Sequence, residues 1–380
     1  MIATTKTRLD RLEVLAKTKK LDGFLFTSPS SIKCFSGYYY NFETGMSPFH
    51  VLPAALFVFP FEFKTLLVAD NEQDKLSGLH PDVHVLYYSS YTYEKPLHFT
   101  EDFFRQVVKI IKANKLSNAS IAIEQNSLPW GFYKALHEHS PEIKLIDVTS
   151  DLTYLKAIKD EDEIGNIRKA SQLADIGQAA ILKYAREGIT ELELFSKARL
   201  VMETEAGTRV PMMTDLVSGK YTASGGGNPT NKIINENDLI LSDLTPCLNG
   251  YWGDSCNTMV VGNPTDEQKR IFYLVKEALE IGINAIHPGV KACDVDYVMR
   301  KHLEKEGGFS HHGGHGVGTG YHEEPRIVPY NTMQLQHGMV IALEPAVYKN
   351  DFGIRLEHLM LVTDNGCEIL TKFNHCFEQG

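Results

Sequence analysis

Apolar positions along the first 150 residues switch repeatedly between helical and strand spacing. A helix-like run, Thr5–Lys20, leads into the strand-like Gly23-Phe24-Leu25-Phe26-Thr27. Further strand candidates are Ala54–Phe59, Thr65–Val68, Val83–Tyr88, Ser120–Glu124 and Lys144–Val148, with helix candidates at Thr100–Asn114 and Trp130–His139. This alternation predicts an α/β domain with a mixed sheet over residues 1–150. Its loops carry Tyr38, Tyr39, Tyr40 and His50 but no dense catalytic cluster, so a packing or oligomerisation role is favoured.

The pattern changes from about residue 155. Ile164, Ile167, Ala170, Leu173, Ala174 and Ile181 fall near helical spacing and predict a long amphipathic helix from Asp160 to Arg186. Its acidic start, Asp160-Glu161-Asp162-Glu163, suits the positive end of a helix dipole. Thr190-Glu191-Leu192-Glu193 is a capping box opening a second helix. Two strand-like runs, Asp238–Cys247 and Tyr251–Val261, then flank the hairpin signal Asn249-Gly250. Thr265-Asp266-Glu267-Gln268 caps a third helix, and Asp294–Glu306 gives a fourth, stopped by Gly307-Gly308. A second hairpin turns at Lys349-Asn350-Asp351-Phe352-Gly353. Helix, helix and hairpin, repeated, predict an α+β domain over residues 155–380 with a pseudo-twofold duplication and its site where the halves meet.

Four carboxylates interrupt the apolar strand runs. Asp243 ends Leu239-Ile240-Leu241-Ser242, and Glu344 ends Met339-Val340-Ile341-Ala342-Leu343. Asp254 lies nearly opposite Asp243 about the first turn, and Glu357 mirrors Glu344 about the second. Each pair should therefore meet across its hairpin as opposite or diagonal neighbours. One such acid, taken alone, is more often a solvent-facing strand residue. Four of them in matched hairpins, with a Gly-flanked His315 between, point instead to buried carboxylates that require a cation. Four carboxylates and an imidazole suit a pair of divalent ions, and hence hydrolysis by a metal-activated water.

Composition narrows the alternatives. A chain of 380 residues has room for two domains, and 43% hydrophobic with 23% charged residues is ordinary for a globular protein. A net charge of −10 argues against a nucleic-acid surface as the main purpose. The six cysteines have no paired spacing and read as reduced, buried thiols. Met1–Lys20 lacks the apolar core of a signal peptide, and no apolar run reaches membrane-spanning length, so a cytoplasmic location with no membrane partner is expected.

The segment His311-His312-Gly313-Gly314-His315-Gly316-Val317-Gly318 invites a nucleotide-binding reading, but it lacks Gly-Lys-Ser/Thr and histidines interrupt it. Serine nucleophile chemistry lacks a Gly-x-Ser-x-Gly elbow; Ser218-Gly219 and Ser224-Gly225 look like loop residues. Cys256 reads as a buried strand thiol.

At these motifs the chain resembles the pita-bread metallohydrolases, in the Xaa-Pro peptidase branch that includes prolidase and aminopeptidase P. The likeness rests on Ser242-Asp243-Leu244 through Gly253-Asp254, Gly314-His315-Gly316-Val317-Gly318, His322-Glu323-Glu324-Pro325, Glu344-Pro345-Ala346-Val347-Tyr348 and Gly353-Ile354-Arg355-Leu356-Glu357. Residues 1–150 resemble the creatinase-type N-terminal domain, and 155–380 the pita-bread catalytic domain. The resemblance implies that Asp243 chelates one metal, His315 and Glu344 the other, and that Asp254 and Glu357 bridge. It implies proton handling by Glu344, an oxyanion-type role for His322 and a substrate carboxylate held by Arg355. His311 and Thr258 match positions that orient the ligands. It also implies two divalent ions, manganese first with cobalt or zinc as alternatives, and a homodimer. Ala346 replaces the usual glycine. Most Xaa-Pro peptidases carry a histidine before the first acidic strand, and here Gly226 stands at that position, with Asn228 or Tyr221 as candidates to supply the contact instead.

The expected activity is cleavage of the amide before proline in dipeptides or at peptide N-termini. Two alternatives stand beside it. One is hydrolysis of a small non-peptide amide or amidine, as in creatinase or ectoine-degrading relatives. The other is a non-enzymatic binding protein on the same fold, which five intact ligands disfavour.

Overall fold

In the computed structural model, residues 7–39, 54–59, 64–76, 78–90, 92–94 and 99–379 are described. Tyr40 and His50 lie outside them. The chain divides into two compact units, Met1–Lys156 and Ala157–Gly380.

The first unit is built on a six-stranded sheet in the order Val83–Tyr88, Lys64–Ala69, Ala54–Val58, Gly23–Phe26, Ser120–Ile123, Lys144–Asp147. Its pairings are both parallel and antiparallel, as the expected mixed sheet requires. Successive side chains of a strand point to opposite faces. Accordingly Leu25, Ala55, Phe57 and Leu67 pack with Phe103, Ile110 and Phe132 from helices Phe99–Ala113 and Trp130–His139. Phe24, Phe26, Leu56 and Leu66 face Leu12, Phe35 and Leu152 on the other side. Those come from helices Arg8–Lys19, Pro29–Ser36 and Thr149–Ala157, the last two of which the sequence periodicity did not reveal.

The second unit repeats one arrangement. Helices Glu161–Tyr184 and Glu191–Ala206 cover strands Met212–Ser218, Leu239–Leu248 and Ser255–Val260, sharing a core of Leu173, Ile181, Leu194, Met202, Leu216, Ile240 and Leu244. Helices Asp266–Ala285 and Ala292–Leu303 cover the sheet containing Val340–Leu343 and His358–Thr363, through Phe272, Val275, Leu279, Met299, Ile341, Leu343 and Met360. Thr190 and Thr265 each accept from the residue three positions on, completing the capping boxes seen in the sequence. Gly307, at φ 87°, follows a short 3₁₀ turn (Glu304–Glu306) that ends the last helix.

Both hairpins form. Asn249 and Gly250 take φ of 53° and 81°, the left-handed pair of a two-residue hairpin turn, and Leu248 pairs with Tyr251. The same register continues to Cys256 opposite Asp243, interrupted at Gly253-Asp254. Asp254 thus lies in a break rather than in the strand expected there. Gly253 sits against helix backbone: a Cβ would stand 2.4 Å from the Ala170 carbonyl oxygen. In the second hairpin, Ala346 pairs with Arg355 and Leu343 with His358, so Glu344 and Glu357 are mirror positions in another break.

Other expectations need correction. Ser218 ends the strand Met212–Ser218, and Gly219–Ser224 is a 3₁₀ turn rather than irregular loop. The Gly-rich segment yields strands Gly314–Gly316 and Glu323–Ile327, without the strand-to-helix turn of a nucleotide loop. All six cysteines are free, but only Cys34, Cys247 and Cys256 are buried.

Buried Gln178 joins helix to acidic strands. Its amide donates to the carbonyls of Ser242 (3.0 Å) and Ser255 (2.7 Å) and accepts from the Ser242 hydroxyl (2.8 Å). Replacing it by leucine keeps apolar volume but strands these partners away from water. Gln178→Leu is expected to cost about 2–4 kcal/mol, at about 1–3 kcal/mol per orphaned group with partial relaxation. Urea unfolding checks this, and an unchanged midpoint would contradict the clamp.

Candidate metal centre

Strand alternation separates the two faces of Leu239–Leu248. Ile240 and Leu244 join the helix-facing core and Ser242 meets Gln178, while Leu241 and Asp243 face the other way. On that second side Asp243 is partly buried; Asp254, His315, Glu344 and Glu357 are buried. They line one cavity of about 640 Å³, together with Asp215, His311, His312, Tyr321, His322 and Arg355.

The five ligand-type residues come together. One donor atom each from Asp254, His315 and Glu357 lies within 4.8 Å of the others. His315 Nε2 is 3.6 Å from Asp254 Oδ2 and 3.7 Å from Glu344 Oε1. Asp243 and Asp254, diagonal neighbours across the hairpin, are within hydrogen-bonding reach. His315 Nδ1 lies 3.1 Å from the Gly316 carbonyl oxygen. Donation of its proton there assigns the tautomer and leaves Nε2 with a lone pair aimed at the acids.

The electrostatics show what this packing lacks. Burial, then repulsion from Asp243 and Glu344, pushes the Asp254 carboxyl well above the carboxylate range. Burial and the charges of Asp254, Asp243 and Glu344 do the same to Glu357. Burial also lifts Asp243 to about 6, against the pull of Arg355. Glu344 behaves differently: burial opposes its charge, but the His312 hydrogen bond, Arg355, His315 and His311 together hold it at about 2. Burial lowers His315 to about 4, favouring the neutral ligand form. Asp243 Oδ1 and Glu357 Oε2 are buried without a hydrogen-bond partner. Orphaned carboxylate oxygens, mutual repulsion and a neutral imidazole fit a pair of divalent cations.

The surrounding residues are tied in. Thr258 is fully buried; its hydroxyl donates to the Arg355 carbonyl (3.0 Å) and accepts from the Arg355 amide (3.1 Å), joining the two hairpins. His311 Nε2 is 3.0 Å from the Tyr348 hydroxyl. His322 is exposed at the cavity mouth, its ring centroid 4.2 Å from that of His315. Desolvation, His312 and Arg326 lower its pKa.

Arg355 is already engaged by several protein groups. Nη2 donates to Asp243 Oδ2 (2.6 Å) and Asp215 Oδ2 (3.1 Å), while Nη1 donates to the Gly225 carbonyl and the Tyr348 hydroxyl. Its side chain is only 7% exposed, yet it lines the cavity, and its Nε has no hydrogen-bond partner. Asn228 lines the cavity, whereas the exposed Tyr221 is not among the lining residues.

Sequence reasoning gave no individual role to His312, whose Nε2 lies 2.9 Å from Glu344 Oε1, or to Asp215. Asp215 had the signal already used for Asp243: an acid inside an apolar run, here Met212–Val217.

Residues 165–364 match the model of metallopeptidase family M24, and residues 8–158 match the creatinase/prolidase N-terminal domain. An Xaa-Pro dipeptidase of Lactobacillus delbrueckii subsp. lactis is 29% identical over 369 residues, covering 96% of each chain. One from Pyrococcus horikoshii is 34% identical over 257 residues, 67% of this chain and 73% of that one. The crystal structure of the P. horikoshii prolidase superposes with a TM-score of 0.79 at 27% identity, covering 97% of this chain and 99% of that one. The X-Pro aminopeptidase of Thermotoga maritima shares the fold, with a TM-score of 0.83 at 24% identity over 98% of this chain and all of that one.

The raised carboxyls give the metal-free protein a pH signature. A carboxyl whose folded pKa exceeds its unfolded value, about 4, holds its proton longer when folded. The folded state then binds more protons, and stability falls as pH rises through the window between the two values. Metal-free protein is expected to lose urea resistance from about pH 4 through 6 and above, with a shallower decline in Asp254→Asn. Adding a divalent ion at neutral pH should restore the wild-type midpoint. Identical slopes in wild type and variant would refute the electrostatic account.

Proposed function

Since the chain belongs to metallopeptidase family M24 and is a metal-dependent hydrolase, we propose that it acts as an Xaa-Pro dipeptidase, cleaving the amide before proline. The observation that carries this reading is the convergence of four carboxylates and a neutral His315 on one cavity, in a chain similar over nearly its whole length to an Xaa-Pro dipeptidase.

Asp243, Asp254, His315, Glu344 and Glu357 would hold two divalent ions, with Asp254 and Glu357 expected to serve both. When bound, the ions would supply Lewis acidity at the scissile carbonyl and lower the pKa of a water. Glu344, held ionised by His312 and its cationic neighbours, would serve as the proton acceptor for an attacking water. His312, hydrogen-bonded to Glu344, orients that carboxylate. His322 at the mouth donates to the carbonyl oxygen as negative charge develops there. Arg355 steadies Asp243 and, with Nε unpartnered in the cavity lining, is the donor assigned to the substrate carboxylate. We assign manganese first because the donors are rich in carboxylate, with cobalt or zinc as alternatives. The family resemblance supports a homodimer. Among the described residues no helix is long and apolar enough to cross a membrane.

The deciding experiment measures kcat/KM on Ala-Pro, Ala-Ala, an Xaa-Pro tripeptide and a small non-peptide amide, together with bound metal. Turnover confined to the non-peptide amide would overturn the dipeptidase reading.

Asp254→Ala and Glu357→Ala are expected to lose bound metal together with turnover, because each removes a buried carboxylate from the centre of the donor cluster. Full metal stoichiometry with normal activity in either purified variant would end the dinuclear assignment.

His322 should act on turnover without affecting metal content. His322→Ala is expected to retain metal while kcat falls by about two to three orders of magnitude, the usual size for an oxyanion donor. Unchanged kcat with intact metal would remove His322 from the site.

A further inference from the structure

The position where most Xaa-Pro peptidases carry a histidine is filled here by two residues acting together. A Cβ at Gly226 would stand 2.0 Å from Asp215 Oδ2 and 2.5 Å from Asp215 Cγ. The glycine therefore makes room for the Asp215 carboxylate, and a side chain at 226 would expel it. This wall of the cavity carries an acid where an imidazole was expected.

Asp215 is held in place. It lies opposite Asp243 in the sheet; Oδ1 accepts from the Gly227 amide at 2.8 Å, and Oδ2 accepts from Arg355 Nη2 at 3.1 Å. The ion pair it forms is graded across the wall. The Asp215 side chain is 37% exposed and the Arg355 side chain 7%, so the negative end faces the cavity. Arg355 lies closer to Asp243, at 2.6 Å, than to Asp215. An ionised carboxylate offers about four acceptor sites, and each Asp215 oxygen has one protein donor. Room remains for a second cation approaching from the cavity. Met212 and Met213, beside Asp215, line the same cavity and present apolar surface to an alkyl stem.

We infer that the Asp215–Gly226 pair makes this cavity selective for substrates whose N-terminal residue carries a cationic side chain, a guanidinium or ammonium on an alkyl stem. The inference rests on the hydrolase reading of the same cavity. It names the residue before proline as arginine or lysine, because the proline side offers no cation. A charge-assisted contact of this kind is expected to favour a cationic side chain over its neutral isostere by about ten- to a hundredfold.

The test compares Arg-Pro with citrulline-Pro, matched in shape and differing in charge, on the metal-loaded full chain. Wild type is expected to show at least a tenfold higher kcat/KM for Arg-Pro, with the ratio shrinking as salt rises. Asp215→Asn should bring the ratio close to one, and Asp215→Glu should keep part of it. A wild-type ratio near one would overturn the inference and leave Asp215 as a brace for Arg355. A second arm measures calorimetric binding of arginine amide and citrulline amide to the same proteins. Preferential, Asp215-dependent binding of arginine amide without cleavage of any Xaa-Pro dipeptide would sustain this inference while the dipeptidase reading fell. Cleavage of both dipeptides at equal rates would do the reverse.

Discussion

Repulsion among four carboxylates packed into one cavity is the constraint around which the catalytic unit is arranged. Water cannot screen them there, so each charge raises the cost of ionising the next. One guanidinium, Arg355, reaches Asp243 at 2.6 Å and comes within 4.0 Å of Glu344, and His312 supports Glu344 directly. Asp254 and Glu357 are left facing each other's charge, and their carboxyls are driven well upward. Protons or divalent cations must complete the balance. Metal affinity and proton affinity are therefore one property of this site, and the two cations compete.

A scaffold that concentrates like charge must be stiff. The hairpins provide this by keeping a single register through their breaks, so Asp254, Glu344 and Glu357 leave the ladder without losing alignment with it. Gly253 lets one hairpin approach the backbone of helix Glu161–Tyr184, and Gln178 pins that helix to both acidic strands. Thr258 ties the first hairpin to the second through the backbone of Arg355. The apolar faces turned toward the helix pairs offset the cost of the charged faces turned away from them.

Much of this was legible because it is local. A two-residue turn sets strand register, so the near-mirror spacing of Asp243 with Asp254, and of Glu344 with Glu357, was enough to bring each pair to one site. Capping boxes at Thr190 and Thr265 and the glycine stop at Gly307 marked helix ends for the same reason. The failures are non-local. Helix Pro29–Ser36 is short and lacks a long periodic run, and its burial depends on the sheet beneath it. The protein contacts of Arg355 could not be read from Gly353–Glu357, since its partners Asp215 and Asp243 lie 140 and 112 residues away. Gly226 looked like a loss. Only the position of the Asp215 side chain shows the vacancy to be filled.

Those residues form one chain of dependence. Gly226 admits Asp215; Asp215 accepts from Arg355; Arg355 donates to Asp243 at the heart of the carboxylate cluster. A change on the cavity wall therefore reaches the cluster through this guanidinium as well as through the direct neighbour Asp243. With five acidic side chains and one arginine among the described residues lining the cavity, two divalent ions would bring the whole close to neutrality. Without Asp215 the loaded site would carry an excess positive charge and would draw anions to this wall. With it, the excess disappears and the outermost charge is negative. The acid thus affects both how readily the centre accepts cations and which substrate side chains meet it favourably, so metal loading and specificity at this site are coupled through the same ion pair.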